Sequence, residues 1–162
     1  IVVHANNSVA NLSIAQIRDI YTGKIKNWKE VGGASLPIVV ISRDVASGTF
    51  EVFNEKALGG SKVVSSAQLL ASNNAVATTV GSTPGGIGYI GLGYLTGQIR
   101  TVKVNGVTPT TKTVQDGSYP LSRKLYMYTN GKAKGDVSSY IAFIQSAEGQ
   151  KIVVEQGFIA LK

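Results

Sequence analysis

The run Pro37-Ile38-Val39-Val40-Ile41-Ser42 constrains the fold of this chain more than any other feature. It shows no alternation of apolar and polar residues, so as a strand it has no face to give to water. Such a strand is stable where both faces are covered, which means a sheet lying between layers of helices. The flanking sequence supplies those helices. Ser13 and Gln16 have the spacing of a capping box, and Leu12 and Ile17 bracket it as a hydrophobic staple. Ile14, Ile17, Ile20 and Tyr21 form the buried stripe of that helix, and Gly23 closes it. Beyond the apolar run, Phe50, Phe53 and Ala57 share one side of a second helical stretch that ends at Gly59-Gly60.

The spacing predicts a third helix over Asn74–Val80 and strands over Val2–His4, Ile87–Ile90, Arg100–Val104 and Lys124–Thr129. Asp136 is expected to cap a helix carrying Val137, Tyr140, Ile141 and Ile144. A last helix starts near Ala147 and stops at Gly157. Strands alternating with helices predict an α/β domain with a mixed, largely parallel sheet. At 162 residues, one domain is expected.

Several chemistries are excluded at this level. The chain has no cysteine and one histidine, His4, so it offers neither a structural zinc site, a thiol nucleophile nor a disulfide framework. No cofactor or metal is implied. No serine stands in G-x-S-x-G, and the nine acidic residues are spread out, so an enzyme is not expected. Gly86-Ile87-Gly88-Tyr89-Ile90-Gly91 matches G-x-G-x-x-G, but the motif itself reads as the strand, and residues 101–115 contain no acid. Glycines that let a strand bend account for it better. The net charge of +7 comes from scattered residues such as Lys24, Lys26, Lys29, Arg100, Arg123 and Lys134. None interleaves with aromatics as a base-stacking platform would, so nucleic acid is not an expected partner. No stretch approaches the roughly 20 apolar residues of a membrane span. The chain begins at Ile1 inside an expected strand and without Met, as a processed or trimmed piece would.

One segment carries chemistry. Where the buried strand ends, Arg43-Asp44-Val45-Ala46-Ser47-Gly48-Thr49 leads into a helix. Ligands of open α/β sheets sit at the carboxyl ends of strands. A helix start offers unpaired N–H groups and partial positive charge, both favourable to an anion. Gly48 allows close approach to the backbone, Ser47 and Thr49 add hydroxyls, and Arg43 adds a fork of donors matched to two oxygens of an oxyanion. Read by themselves, these residues fit a phosphate or sulfate site, and they also fit a plain helix cap beside a solvated arginine.

Further motifs favour the site. Ile20-Tyr21-Thr22-Gly23-Lys24-Ile25-Lys26-Asn27-Trp28-Lys29-Glu30-Val31-Gly32-Gly33 resembles the "FTGKITNWKEVGG" stretch of the phosphate-binding proteins of ABC transporters. Ser42-Arg43 with Ser47-Gly48-Thr49 resembles their phosphate loop, and Gly86-Ile87-Gly88-Tyr89 resembles their "GAIGY" strand. Tyr119-Pro120-Leu121-Ser122-Arg123 with Leu125-Tyr126-Met127-Tyr128-Thr129, and Glu148-Gly149-Gln150-Lys151-Ile152-Val153, are similar to segments near that family's C-terminus. The resemblance implies a three-layer αβα lobe of type II periplasmic-binding-protein fold. Residues 1–162 would form the second lobe, the first being absent.

It further implies that Arg43, Ser47, Gly48, Thr49 and also Asn73 contact inorganic phosphate. The implied protein is the extracytoplasmic receptor of an importer, periplasmic or a cell-surface lipoprotein, and it works with a membrane permease. Relatives place an acid two residues after the arginine; here Val45 stands there and Asp44 precedes it, which leaves open what orients Arg43. An alternative is an interaction or adhesion module that keeps the lobe without transporting. The isolated lobe is also expected to self-associate at high concentration.

Overall fold

The computed structural model describes residues 1–161. The chain opens with strands β1 (Val2–His4) and β2 (Asn11–Leu12) and helix α1 (Ile14–Tyr21). After β3 (Val39–Arg43), helix α2 (Gly48–Phe53) runs on into a π-helical turn, Asn54–Leu58. β4 (Gln68–Leu70), α3 (Asn73–Ser82) and β5 (Gly86–Gly88) come next. β6 (Ile99–Thr101), β7 (Lys103–Val104) and α4 (Thr111–Gln115) precede the closing helices α5 (Gly135–Gln145) and α6 (Ala147–Glu155).

The main sheet has the order β4-β3-β5-β1-β6. β3 runs parallel to both β4 and β5, and β1 runs antiparallel to both β5 and β6. The sheet is therefore mixed, as expected, with two parallel and two antiparallel pairings and four of its five strands running in one direction. β2 and β7 form a separate parallel pair. Neighbouring residues on one strand point to opposite faces, and the core divides accordingly. Val3, Val40 and Ile87 pack with Ile17, Ile20, Tyr21, Phe53 and Leu58 from α1, α2 and the π-turn. Val2 and Ile41 pack instead with Val76, Ala77 and Val80 of α3. The apolar run thus lies between two helical layers, the arrangement its composition demands.

Local signals explain the element ends. Ser13 Oγ accepts from Gln16 N–H at 3.1 Å and Gln16 Oε1 accepts from Ser13 N–H at 2.8 Å, closing the capping box. Trp28 is buried and donates its indole N–H to Gly85 O at 3.0 Å. A Cβ on Gly88 would come within 2.7 Å of Val76 and 2.8 Å of Val80. Gly88 of the G-x-G-x-x-G match therefore serves close packing of α3 on β5, where bending of the strand was the expectation.

Three expectations need correction. The stretch 124–129 forms no strand: among the described residues no strand pairs with it, and Tyr126 and Tyr128 are 68% and 91% exposed. A strand without a neighbouring backbone has no ladder to form. The strand expected over Arg100–Val104 divides into β6 and β7 as the chain passes from one sheet to the other, with Val102 N–H bonded to Ile1 O between them. Asp136 lies inside the first turn of α5, whose N-cap position is Lys134. Helices α5 and α6 pack on each other and leave Val137, Tyr140, Phe143, Ile152 and Val154 exposed. Among the described residues, no helix is long and apolar enough to cross a membrane.

Candidate functional site

Arg43 is the last residue of β3 and pairs with Leu70 of β4. Its guanidinium is held from that side: Nε donates to Leu70 O at 3.1 Å and Nη2 to Ala71 O at 2.8 Å. Nη1 donates to Asn73 Oδ1 at 3.4 Å, at the first turn of α3. Two predicted site residues, Arg43 and Asn73, are thereby brought together. What orients the arginine is a pair of carbonyls and an amide, with no carboxylate involved. Asp44 turns its Oδ1 to Ala46 N–H at 3.0 Å, and Val45 is exposed. Three bonds leave two of the guanidinium's five N–H donors for a further acceptor.

Ser47 is buried, and its Oγ accepts from Thr49 N–H at 3.2 Å and Phe50 N–H at 3.3 Å. It is the N-cap of α2, as one of the two sequence readings had it. The capping role does not exclude the other: the Ser47 hydroxyl proton stays available, and the N–H of Gly48, first residue of the helix, has no intrahelical acceptor. Thr49 offers its hydroxyl, its amide being engaged by Ser47.

A neighbour not anticipated as part of the site completes the picture. A Cβ on Gly48 would lie 3.1 Å from Arg123 Nη2 and 3.3 Å from Nη1, so a second guanidinium rests against the start of α2. Lys56 Nζ donates to the Ser122 carbonyl beside it. Among the described residues, neither Arg43 nor Arg123 makes an ion pair with a carboxylate. Two guanidinium groups without a carboxylate partner and a helix start favour an anion. An open concavity of about 430 Å³ begins at Ser47 and Gly48 and continues along α2 to Glu51 and Glu55. Its far end is acidic, so the end at Gly48 is the one more favourable to an anion.

The strand end of this loop is held by Tyr89, also unanticipated in that role. Its hydroxyl accepts from Arg43 N–H at 2.9 Å and lies 2.8 Å from Ser42 Oγ. Burial pushes the phenol pKa up, so it keeps its proton at neutral pH. Sequence spacing gives no sign of either neighbour, because the fold brings together residues 46 or more positions apart.

Residues 1–148 match the model of a PBP superfamily domain. The phosphate-binding protein PstS of Bacillus subtilis is 36% identical over 159 residues, which is 97% of this chain and 53% of that protein. The chain spans about half the length of the curated relatives it matches. A Clostridium perfringens protein assigned as a phosphate ABC transporter substrate-binding protein, crystallised with bound phosphate, superposes with a TM-score of 0.85 at 39% identity. That match covers 99% of this chain and 67% of the other. PstS of Borrelia burgdorferi gives 0.82 at 31% identity, covering 99% and 68%.

Proposed function

Since this chain belongs to the PBP superfamily, and within it to the phosphate-binding proteins of ABC transporters, we propose that it is the anion-clasping lobe of a phosphate receptor. The family is one of solute-binding proteins and not of enzymes. In this reading inorganic phosphate sits at the carboxyl end of β3 and the start of α2. Arg43 supplies the two N–H donors it has left, Ser47 and Thr49 supply hydroxyls, and Gly48 supplies a backbone N–H. Asn73 holds Arg43 through its side-chain carbonyl.

The observation that carries the proposal is an arginine without a carboxylate partner among the described residues, already oriented by three hydrogen bonds, at a strand end four residues before a helix start capped by a buried serine. The exposed apolar side chains of 125–128 and of α5 and α6 support a further part of the reading. In this reading they belong to the surface that the remaining half of such a receptor would cover. The whole protein would act outside the cytoplasm, in the periplasm or as a cell-surface lipoprotein, and deliver phosphate to a membrane permease. Titration with inorganic phosphate at constant ionic strength, followed by amide NMR shifts, tests the site. Saturable shifts concentrated at Gly48, Thr49 and Arg43 are expected. Shifts scattered over surface lysines, with no saturation at Gly48, would overturn the assignment.

A further inference from the structure

We propose that Tyr89 is the positioning residue of this anion loop, setting the distance between its arginine arm and its helix arm; the inference rests on the phosphate reading above. β5 ends at Gly88, and its ladder with β3 reaches only Val40↔Ile87, so Arg43 lies past the last backbone partner on that side. The Tyr89 phenol takes the place of the missing strand. It accepts from Arg43 N–H at 2.9 Å and lies 2.8 Å from Ser42 Oγ, and Ser42 Oγ is 3.3 Å from Arg43 O as a donor. One assignment uses every proton once. Arg43 N–H donates to Tyr89 OH, Tyr89 donates to Ser42 Oγ, and Ser42 donates to Arg43 O. Both backbone polar groups of Arg43 are then fixed by one phenol, the amide directly and the carbonyl through Ser42. That sets the direction in which the Arg43 side chain leaves the sheet.

The ring of the same residue fixes the other arm. Tyr89 is 4% exposed and stacks on Phe53 of α2, with ring centroids 4.0 Å apart and planes 10° apart. Tyr21 of α1 closes the cluster edge-on to Phe53 at 4.6 Å, and its hydroxyl donates to Ile41 O of β3 at 3.2 Å. Rotation or sliding of α2 moves Phe53, and the stack transmits that movement to the phenol that holds Arg43. The helix that presents Ser47, Gly48 and Thr49 is in this way tied to the strand that presents Arg43. A small oxyanion tolerates little error in that spacing, since each of its oxygens must meet a donor at about 2.7–3.2 Å.

Tyr89→Phe separates the two functions of the residue, because it keeps the ring and removes the hydroxyl. Phosphate affinity is measured by amide NMR titration of this chain as wild type, Tyr89→Phe, Arg43→Ala and the double variant, with thermal melting alongside. We expect Tyr89→Phe to weaken binding about tenfold, and to produce no further loss in the Arg43→Ala background, because the hydroxyl acts through the arginine. Ser42→Ala, which spares the phenol, is expected to show the same dependence on Arg43 with a smaller loss. It also provides the test should Tyr89→Phe fail to fold. Unchanged affinity in both variants, or an equal loss with and without Arg43, overturns the positioning role while leaving the phosphate site standing. Absence of saturable binding in the wild type overturns the site, and the inference with it.

Discussion

Arg43 stands at the end of β3 with most of its side-chain freedom already removed. Its bonds to Leu70 O, Ala71 O and Asn73 Oδ1 hold the guanidinium before any ligand arrives, so binding need not order it. A hydrogen bond to a charged group contributes about 1.5–3 kcal/mol, or roughly one to two decades in affinity. Arg43→Ala should therefore weaken phosphate binding at least about tenfold in calorimetric titration. Arg43→Lys should restore only part, because an ammonium cannot reproduce the planar fork that now spans three acceptors. An unchanged dissociation constant in the alanine variant would remove Arg43 from the site. Arg43, Ser47, Gly48 and Thr49 could be proposed as a site from the sequence because they are nearly contiguous, and their chemistry is that of a strand end leading into a helix start. Tyr89 and Arg123 could not, since each meets the loop only through folding. A phenol in a glycine-rich strand looks like any packed aromatic until its hydroxyl partner is known.

Elements with a local cause were legible, and those with a tertiary cause were not. The capping box of α1 and the two-faced burial of β3 follow from residue types a few positions apart. β4 was missed because Gln68-Leu69-Leu70 is short and exposed on two of its three residues, and it is a strand by virtue of pairing with β3. The converse error occurred at 124–129, where apolar residues suggested a strand and no partner backbone exists to make it one. A second capping box, also overlooked, offers a pH test. Glu30 Oε1 accepts from Asn27 N–H at 2.8 Å and from Lys26 N–H at 3.0 Å, closing the turn Trp28–Val31 below Trp28. The backbone bond from Lys26, then that from Asn27, lowers the Glu30 pKa. A carboxylate with a folded pKa below its unfolded value of about 4.3 adds stability above that value and loses it as pH falls through the folded pKa. Thermal melting should therefore show a stability loss below about pH 4 that is smaller in Glu30→Gln, which keeps one acceptor oxygen. Identical acid profiles for the two proteins would show that this turn does not report on global stability.

At the scale of the whole molecule, the sheet and its two helical layers form a closed core, whereas the segment after Arg123 does not. Leu125, Tyr126, Met127, Tyr128, Tyr140, Ile152 and Phe158 all stand exposed. An apolar surface of this kind seeks a partner, and so self-association rising with concentration is expected by sedimentation. The proposed two-lobed receptor bears on affinity as well. Receptors that capture an anion tightly do so by surrounding it with fixed donors away from water, where charge interactions are weakly screened. Here the anion would rest on Arg43, Ser47, Gly48 and Thr49, with Arg123 beside it and its other side open to solvent. Removing three or four charged hydrogen bonds of roughly 1.5–3 kcal/mol each lowers affinity by several orders of magnitude. Phosphate should therefore bind this chain no more tightly than about millimolar, near −4 kcal/mol. Adding the other half of such a receptor should both tighten binding and suppress self-association, because the cleft and the apolar face are completed together. Isothermal titration of the monomer decides between the accounts. Micromolar binding by this chain alone would mean that one lobe already encloses the anion, and the two-lobed account of its affinity would fall.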